Sequence, residues 1–287
     1  MKQLNTYKNE SFNMKPMATY ITEYIIKKKL DKPIDSENNY KYSPINKEQL
    51  INNINECIDL GEYNLNVIDV SSIKDMSKLF RSVNLNKIKR GSKLDISKWD
   101  VSNVEFMNYM FSEIKNYIKD VINYKDIENW DVSNVINMSG MFDCCKDFNG
   151  DLSNWDVSSL KETEYMFNKC DRFKGNGLEN WNMSNVWNAS QMFMFCTDLC
   201  CDLSKWNLSK LQNGYMMFSQ CENFDCDVSN WNVGKNNKLS NIHSMFQGCE
   251  KFEGKGLDKW PIDERVDTYN ALRGCYRIEN TPSWYKQ

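Results

Sequence analysis

Hydrophobic residues along most of the chain return at a fixed interval of about 25 residues. The interval is clearest after Trp130, where Trp-Asp-Val-Ser is followed by Met-x-x-Met-Phe-x-x-Cys and then by Asp-Leu-Ser-x-Trp. The series begins again at Trp155, 25 residues after Trp130. Such a period is typical of repeat proteins, in which each unit buries its apolar side against its neighbours. We therefore interpret most of the chain as one elongated repeat domain.

The apolar spacing inside each unit predicts its local structure. Val135, Met138 and Met141 follow a helical spacing, and Ser133 can cap the start of that helix. The other half of the unit, residues 148–155, is short and contains a polar turn, which favours a brief strand. One parallel strand and one short helical segment per unit predict an α/β repeat solenoid of the leucine-rich-repeat type, with about eight coils and a helical N-terminal cap.

Segments without the repeat divide the rest of the chain. The four predicted parts are residues 1–41, an N-terminal helix near 17–29 and a polar linker; residues 42–64, a helical capping segment; residues 65–280, the solenoid; and residues 281–287, a C-terminal tail. The capping helix is marked by Asn46 at its start and Gly61 at its end. Two insertions, within 114–125 and 234–238, are places where loops could add an individual function.

Composition and the apolar pattern argue against nucleic-acid binding and against a membrane span, and bear on where the protein is located. A net charge of −3 and a pI near 5.5 give no clustered basic surface for nucleic acid. The sequence contains no apolar run long enough to predict a membrane span. No secretory signal or lipid-attachment cysteine is visible near the start, so we expect a cytoplasmic protein, with a cell-surface or secreted protein exported by a non-standard route as the alternative.

Cysteines fall mainly in one position of the repeat. The 11 cysteines include a column of one per unit: Cys145, Cys170, Cys196, Cys221, Cys249 and Cys275. Free cysteine is among the most buried residue types, so we expect reduced thiols packed in the core rather than disulfides. Cys201 and Cys226 share a different register, and oxidation at that pair stays open.

Two further columns contain large apolar residues. They are Trp99, Trp130, Trp155, Trp181, Trp206, Trp231 and Trp260, and Met107, Met110, Met138, Met141, Met166, Met192, Met217 and Met245. Exposed aromatic rows can stack on bases or sugars, and methionines can bind soft metals. Their phase with other apolar positions favours the core for both columns. Trp187 lies outside the register, so we expect it to be exposed.

Aspartates form two columns that could bind calcium or cap turns. Asp95, Asp126, Asp151, Asp202 and Asp227 precede a tryptophan by four residues, and Asp100, Asp131 and Asp156 follow one directly. Later units carry asparagine at the second position, which suits hydrogen bonding at a turn, and the glycine-rich calcium-binding repeat is absent. We favour turn caps and expect no cofactor or metal.

No constellation of residues predicts catalysis. His243 is the single histidine, no Cys-x-x-Cys occurs, and phosphate-cradling glycine motifs are missing. We therefore expect a protein that is not an enzyme.

The repeat resembles that of the BspA-like leucine-rich-repeat surface proteins, in the branch whose unit reads Phe-x-x-Cys-x-x-Phe-x-x-Asp-Leu-Ser-x-Trp-Asp-Val-Ser-x-Val-x-x-Met-x-x-Met-Phe. The clearest copies are residues 142–167 and 193–218, and the resemblance covers residues 42–280. It implies a surface or secreted protein that binds a host protein or surface without chemistry.

We predict a monomeric binding protein that recognises a protein, or a glycan, through an extended face. The residue before each tryptophan should point outward from the strand face. This predicted contact row is Lys98, Asn129, Asn154, Asn180, Lys205, Asn230 and Lys259. A surface-exposed adhesin or virulence-type protein is the alternative.

Overall fold

The structure is a computed structural model that describes residues 40–112, 122–236 and 238–285. The helix predicted near residues 17–29 and most of the insertion within 114–125 lie outside these residues. The residues from Tyr42 onward belong to one folded unit.

The first element is helix α1, Lys47–Leu60. Asn46 caps its start, because the Asn46 side chain accepts a hydrogen bond from the Gln49 N–H at 2.9 Å. Gly61 ends it in the left-handed conformation, with φ of 73°. The helix buries one apolar face made of Leu50, Ile54, Cys57 and Ile58. The boundaries predicted from the sequence for this helix are confirmed.

The other helical elements are short. Helix α2 spans Leu79–Ser82. Single turns of 3₁₀ helix occupy Leu65–Val67, Leu85–Lys87, Tyr124–Asp126, Leu178–Asn180 and Leu257–Lys259.

The predicted α/β solenoid with one strand and one helix per coil is wrong. In the described residues the repeat units contain no regular strand and no sheet, and most of the predicted helices are series of turns. Neighbouring units instead meet through single parallel bridges. The longest series of bridged residues is Asp75, Phe106, Asn137, Glu162, Asn188, Asn213, Asn241 and Asp267.

Hydrogen bonds to the next unit explain why the predicted helix does not form. An α-helix needs each N–H to bond the carbonyl four residues earlier, but every second N–H of this segment points to the following unit. The bonds from the unit of Trp130 run from the N–H groups of Met138, Gly140, Phe142 and Cys144 to the carbonyls of Glu162, Glu164, Met166 and Asn168, at 2.7–3.0 Å. We call this segment, residues 137–144 and its equivalents, the ladder arc. Bonds inside the unit are then turns, such as Met141 N–H to the Met138 carbonyl at 3.1 Å.

The ladder arc needs left-handed residues to keep every second peptide pointing the same way. The third residue after each bridged residue has positive φ, between 52° and 60°, in Lys78, Tyr109, Gly140, Tyr165, Gln191, Met216, Ser244 and Asn270. Most are not glycine, so their preference for other conformations is overridden by the ladder bonds. At Gly140 a side chain is also excluded, because a Cβ atom would lie 2.3 Å from Cε1 of Tyr109.

The predicted strand over residues 148–155 is a second series of turns. Leu152 makes a single bond to the next unit, from its N–H to the Asn176 carbonyl at 3.1 Å. Trp155 N–H returns to the Leu152 carbonyl at 3.1 Å, which closes a turn rather than extending a strand. This segment therefore contributes single hydrogen bonds between units instead of a paired ladder of strands.

A column of phenylalanine rings forms the centre of the core. Phe80, Phe111, Phe142, Phe167, Phe193, Phe218 and Phe246 stack in consecutive units with ring centroids 5.2–5.7 Å apart. All are at most 1% exposed. Stability is thus distributed over contacts between neighbouring units.

Candidate binding surfaces

The tryptophan column lies in the core, as the repeat pattern predicts. Its seven members are at most 5% exposed. Most indole N–H groups donate to a carbonyl of the preceding unit, as in Trp155 to Ile127 at 2.9 Å and Trp206 to Leu178 at 2.7 Å. The buried Trp130 Nε1 has no hydrogen-bond partner among the described residues. These rings therefore hold units together and cannot serve as a stacking platform.

The methionine and cysteine columns are also buried, which confirms that they pack in the core. All 11 cysteines lie in the described residues as thiols outside any disulfide. Column thiols donate to the preceding unit, as in Cys170 Sγ to the Phe142 carbonyl at 3.2 Å. Burial raises the pKa of Cys201 and Cys226 to about 12 each, which leaves little thiolate for oxidation at neutral pH.

The two aspartate columns cap turns. Asp151 accepts a hydrogen bond from the Ser153 N–H at 3.0 Å, and Asp131 accepts one from the Ser133 N–H at 3.0 Å. Asn182 caps Ser184 in the same way at 3.2 Å, which explains why asparagine replaces aspartate in later units. Hydrogen bonds from Ser133 lower the pKa of Asp131 below its usual value. Within the described residues, no cluster of three or more His, Cys, Asp or Glu could hold a metal ion.

A third column of turn caps was missed in the sequence. The Asp and Asn side chains of the bridge series accept a hydrogen bond from the N–H two positions later, as in Asn137 from Ser139 at 2.8 Å and Asn241 from His243 at 2.9 Å. The signal was available, because Asn or Asp recurs seven residues after Trp130, Trp181 and Trp206. These side chains position the ladder arc and are occupied by that role.

All seven residues of the predicted contact row are exposed: Lys98, Asn129, Asn154, Asn180, Lys205, Asn230 and Lys259. They lie on turns, not on the predicted strand face. Two neighbours are joined, since Asn154 Nδ2 donates to Asn129 Oδ1 at 3.1 Å. The row therefore places one exposed amide or ammonium group before each tryptophan of the column, and its role in binding stays a prediction.

Exposed aromatic residues mark a second surface beside the ladder arc. Trp187 is 37% exposed, as its position outside the repeat register predicts, and Phe106 is equally exposed. His243 lies between the rings of Tyr215 and Tyr269, at centroid distances of 5.4 and 5.3 Å. Its Nδ1 lies 3.3 Å from an Asp267 carboxylate oxygen. The His243 side chain is 26% exposed, and this stack could not be recognised from the sequence.

One surface cavity lies near the insertion within 114–125. It has a volume of about 400 Å³ and carries charges of both signs, with Lys93, Lys125 and Arg172 facing Glu128 and Asp147. Arg172 Nε lies 3.5 Å from Asp147 Oδ1, so part of this charge is paired. The arrangement is that of a mixed surface hollow.

Another cavity, of about 560 Å³, lies at the C-terminal end of the repeat series. Its wall includes Tyr269, Asn270, Arg273, Gly274 and Tyr276. It combines exposed rings, backbone groups and one guanidinium, which are groups that bind other proteins.

In the described residues, no helix is long and apolar enough to cross a bilayer.

Comparison with known sequences gives one family. Residues 48–177 and residues 164–284 each match the family described as "Mycoplasma protein of unknown function, DUF285". Neither the curated proteins nor the solved structures include a match. The two stretches together span residues 48–284 of 287, so the chain belongs to the DUF285 family and carries two copies of its domain.

Proposed function

We propose that this protein is a non-enzymatic binding protein that recognises a macromolecular partner, in the first place a protein, through the predicted contact row. One observation carries the proposal. The column tryptophan, methionine, cysteine and aspartate side chains are used for packing or turn caps, whereas the residue before each column tryptophan is exposed. The residues left for recognition therefore recur along the whole series of repeats.

The chemistry of the row suits a polar partner surface. Asn129 and Asn154 each offer an amide donor and acceptor, and Lys98, Lys205 and Lys259 offer ammonium groups. Their regular spacing allows several hydrogen bonds to form together, so that weak contacts add up over one interface. The positive ammonium groups of these three lysines favour a partner that presents carboxylates or carbonyl oxygens.

Charge reversal along the row tests this proposal. The variant Lys98→Glu, Lys205→Glu, Lys259→Glu should lose the partner that the wild-type protein captures from an extract of the source organism, with an unchanged melting temperature. The matched control is Lys89→Glu, Lys161→Glu, Lys174→Glu, which makes the same charge change at exposed positions outside the row. Equal capture by both variants would show that the row is not the binding surface.

We propose, as a second candidate, a surface-exposed or secreted adhesin that binds a host protein or glycan. The support is the resemblance of the repeat to BspA-like surface proteins, the finer assignment within the wider family. Protease treatment of intact cells should then degrade the protein while a cytoplasmic marker survives. Full protection of the protein until the cells are lysed would contradict this role.

A further inference from the structure

The hydrogen bonds of the ladder arc run in one direction along the chain. N–H groups of Thr163, Tyr165, Phe167 and Lys169 donate to carbonyls of the following unit, those of Asn188, Ser190, Met192 and Met194, at 2.7–2.9 Å. The same pattern joins the other neighbouring units. Bonds just before the arc run the other way, such as Lys161 N–H to the Ile136 carbonyl at 3.0 Å. Each unit therefore presents mainly donors toward the C-terminal side of the arc and acceptors toward the N-terminal side.

The final ladder arc ends this series with unused donors. Its carbonyls at Tyr269, Ala271 and Arg273 accept bonds from the preceding unit at 2.8–2.9 Å. The outward N–H groups are those of Thr268, Asn270, Leu272 and Gly274. Burial raises the Tyr285 pKa, and a hydrogen bond from the Leu272 N–H to the Tyr285 hydroxyl oxygen lowers it in part. The N–H groups of Asn270 and Gly274 have no hydrogen-bond partner among the described residues.

Exposed aromatic rings lie around these donors. Tyr276 is 81% exposed and Tyr269 is 58% exposed, and both line the cavity of about 560 Å³ that also contains Asn270, Arg273 and Gly274. Tyrosine and arginine are enriched where proteins bind one another, because they combine large contact area with hydrogen bonding. The rings thus point independently to a protein ligand at the same place.

We propose that this surface, the donor face of Tyr269, Asn270, Arg273, Gly274 and Tyr276, binds an extended segment of a partner protein. Two carbonyl oxygens four residues apart in that segment accept hydrogen bonds from the Asn270 and Gly274 N–H groups, as the Tyr215 and Ser219 carbonyls do for Gln191 and Phe195 inside the protein. Main-chain hydrogen bonds provide affinity, and Tyr269 and Tyr276 contact the side chains of the partner segment, as in other cases of β-strand addition. The donor face is separate from the contact row, and this inference does not depend on the proposed function.

The partner segment is not supplied by a second copy of this protein. Helix α1 covers the acceptor side of the first unit, where Lys47 Nζ lies 2.6 Å from Asp75 Oδ2 and 2.8 Å from Ser77 Oγ. Head-to-tail pairing is therefore blocked. Two donor faces brought together would oppose N–H groups with N–H groups, which gains no hydrogen bond and leaves them desolvated.

A peptide with the sequence of residues 213–221 is a suitable probe, because the carbonyls of Asn213, Tyr215, Met217 and Ser219 accept ladder bonds inside the protein. Amide hydrogen exchange of the whole chain is measured by NMR with and without peptide. Saturating peptide should slow exchange of the Asn270 and Gly274 amides by roughly tenfold or more, because newly bonded amides are protected. A scrambled peptide should leave both amides unchanged. Unaltered exchange with the intact peptide sequence would overturn the proposal.

A charge change locates the peptide. Arg273→Glu places a carboxylate beside the donors and should weaken peptide binding roughly tenfold or more through repulsion of the carbonyl oxygens. Gln247→Glu is the matched control, since Gln247 has the same register one unit earlier. The contact-row variant should bind the peptide normally. Equal weakening by both glutamate substitutions, or loss of binding in the contact-row variant, would place the peptide elsewhere.

Discussion

The two ends of the repeat series are closed in different ways. At the N-terminal end, α1 buries Leu50 and Ile54 completely and anchors Lys47 to the first unit. At the C-terminal end, Trp284 stacks on Trp260 at 6.1 Å, but Tyr276 is 81% exposed and ladder donors face outward. One end is thus covered by an amphipathic helix, and the other retains an edge that can still bond.

The direction of the ladder makes the two ends differ in the groups that they present, carbonyl acceptors at the N-terminal end and N–H donors at the C-terminal end. Repeat proteins usually need polar caps at both ends, because each unit buries its apolar side against a neighbour. Within the described residues, α1 covers the acceptor side of the first unit. The donor side of the last unit is covered mainly where Trp284 stacks on Trp260. The two ends can therefore be perturbed separately, and the following changes test how far they are independent.

The largest effect is expected for Trp155→Ala, in the middle of the series. Trp155 is 4% exposed and lies 6.3 Å from Trp181 in a stacked arrangement. Its removal should lower the free energy of unfolding by about 3–5 kcal/mol, because it leaves a large cavity. Denaturant titration should still give one transition if the ends form one cooperative unit. Asn154→Ala, at an exposed neighbour, is the control; two separate transitions in Trp155→Ala would show that the ends unfold independently.

A comparable but local effect is expected for Leu50→Ala on α1. Leu50 is fully buried, so the substitution should cost roughly 2–5 kcal/mol. Hydrogen exchange should rise first in the ladder arc of the first unit, at Met76 and Lys78, and last at Gly248, whose N–H bonds to the final unit. Asn52→Ala, on the exposed side of the helix, should leave the exchange rates unchanged. Equal acceleration at both ends would contradict a closure that acts locally.

A smaller loss of stability is expected at the C-terminal end for Trp284→Ala. Trp284 is 9% exposed and its described ring contacts are Trp260 and Tyr285. The cost should be about 2–3 kcal/mol, below the range for a fully enclosed tryptophan, because fewer contacts are lost. Thermal unfolding monitored by circular dichroism measures it. A loss as large as that of Trp155→Ala would mean that the C-terminal end is closed as tightly as the centre.

The N-cap of α1 contributes less. Asn46→Ala removes the bond from the Gln49 N–H and should destabilise the protein by about 1 kcal/mol. Asn46→Ser keeps a capping oxygen and should behave like the wild type in urea titration. If alanine and serine are equivalent, the cap does not contribute to closing this end.

The smallest effect on stability is expected for the turn caps, which are aspartate in earlier units and asparagine in later ones. Because the folded pKa of Asp131 is lowered, its cap stabilises the protein above the unfolded pKa of about 3.9 and loses this contribution as pH falls toward the folded pKa. Asp131→Asn should therefore flatten the decline of stability between roughly pH 4 and 2, by less than about 1 kcal/mol for so exposed a group. Asn182→Asp should steepen it. Stability curves parallel to the wild type in both variants would contradict this role of the caps.

The columns of the repeat could be predicted from the sequence because burial depends on side-chain type and period. Trp155 and Cys170 recur with the same neighbours in every unit, and their positions in the core followed directly. Helix α1 was also predictable, since Asn46 and Gly61 mark its ends. The turn caps could be predicted in part. The roles of Asp131 and Asp151 were predicted, but those of Asn137 and its equivalents were not.

The local backbone could not be predicted, because it is decided by bonds between units. Met138 and Met141 have helical spacing, yet the Met138 N–H bonds to Glu162 in the next unit. Tyr165 then adopts a left-handed conformation that its side chain disfavours, with φ of 58°. The donor face was also invisible, since it consists of backbone groups left over at the end of the ladder and no residue type encodes it.

The cysteine column provides the protein with internal reporters of local opening. Cys145, Cys170, Cys196, Cys221, Cys249 and Cys275 lie at one depth in consecutive units, and each Sγ donates to a carbonyl of the preceding unit. Burial raises the pKa of Cys196 and Cys221 well above the usual thiol value, so a thiol reagent reacts when the unit around them opens. The order in which the six positions become labelled would record, without any introduced probe, where along the chain unfolding begins.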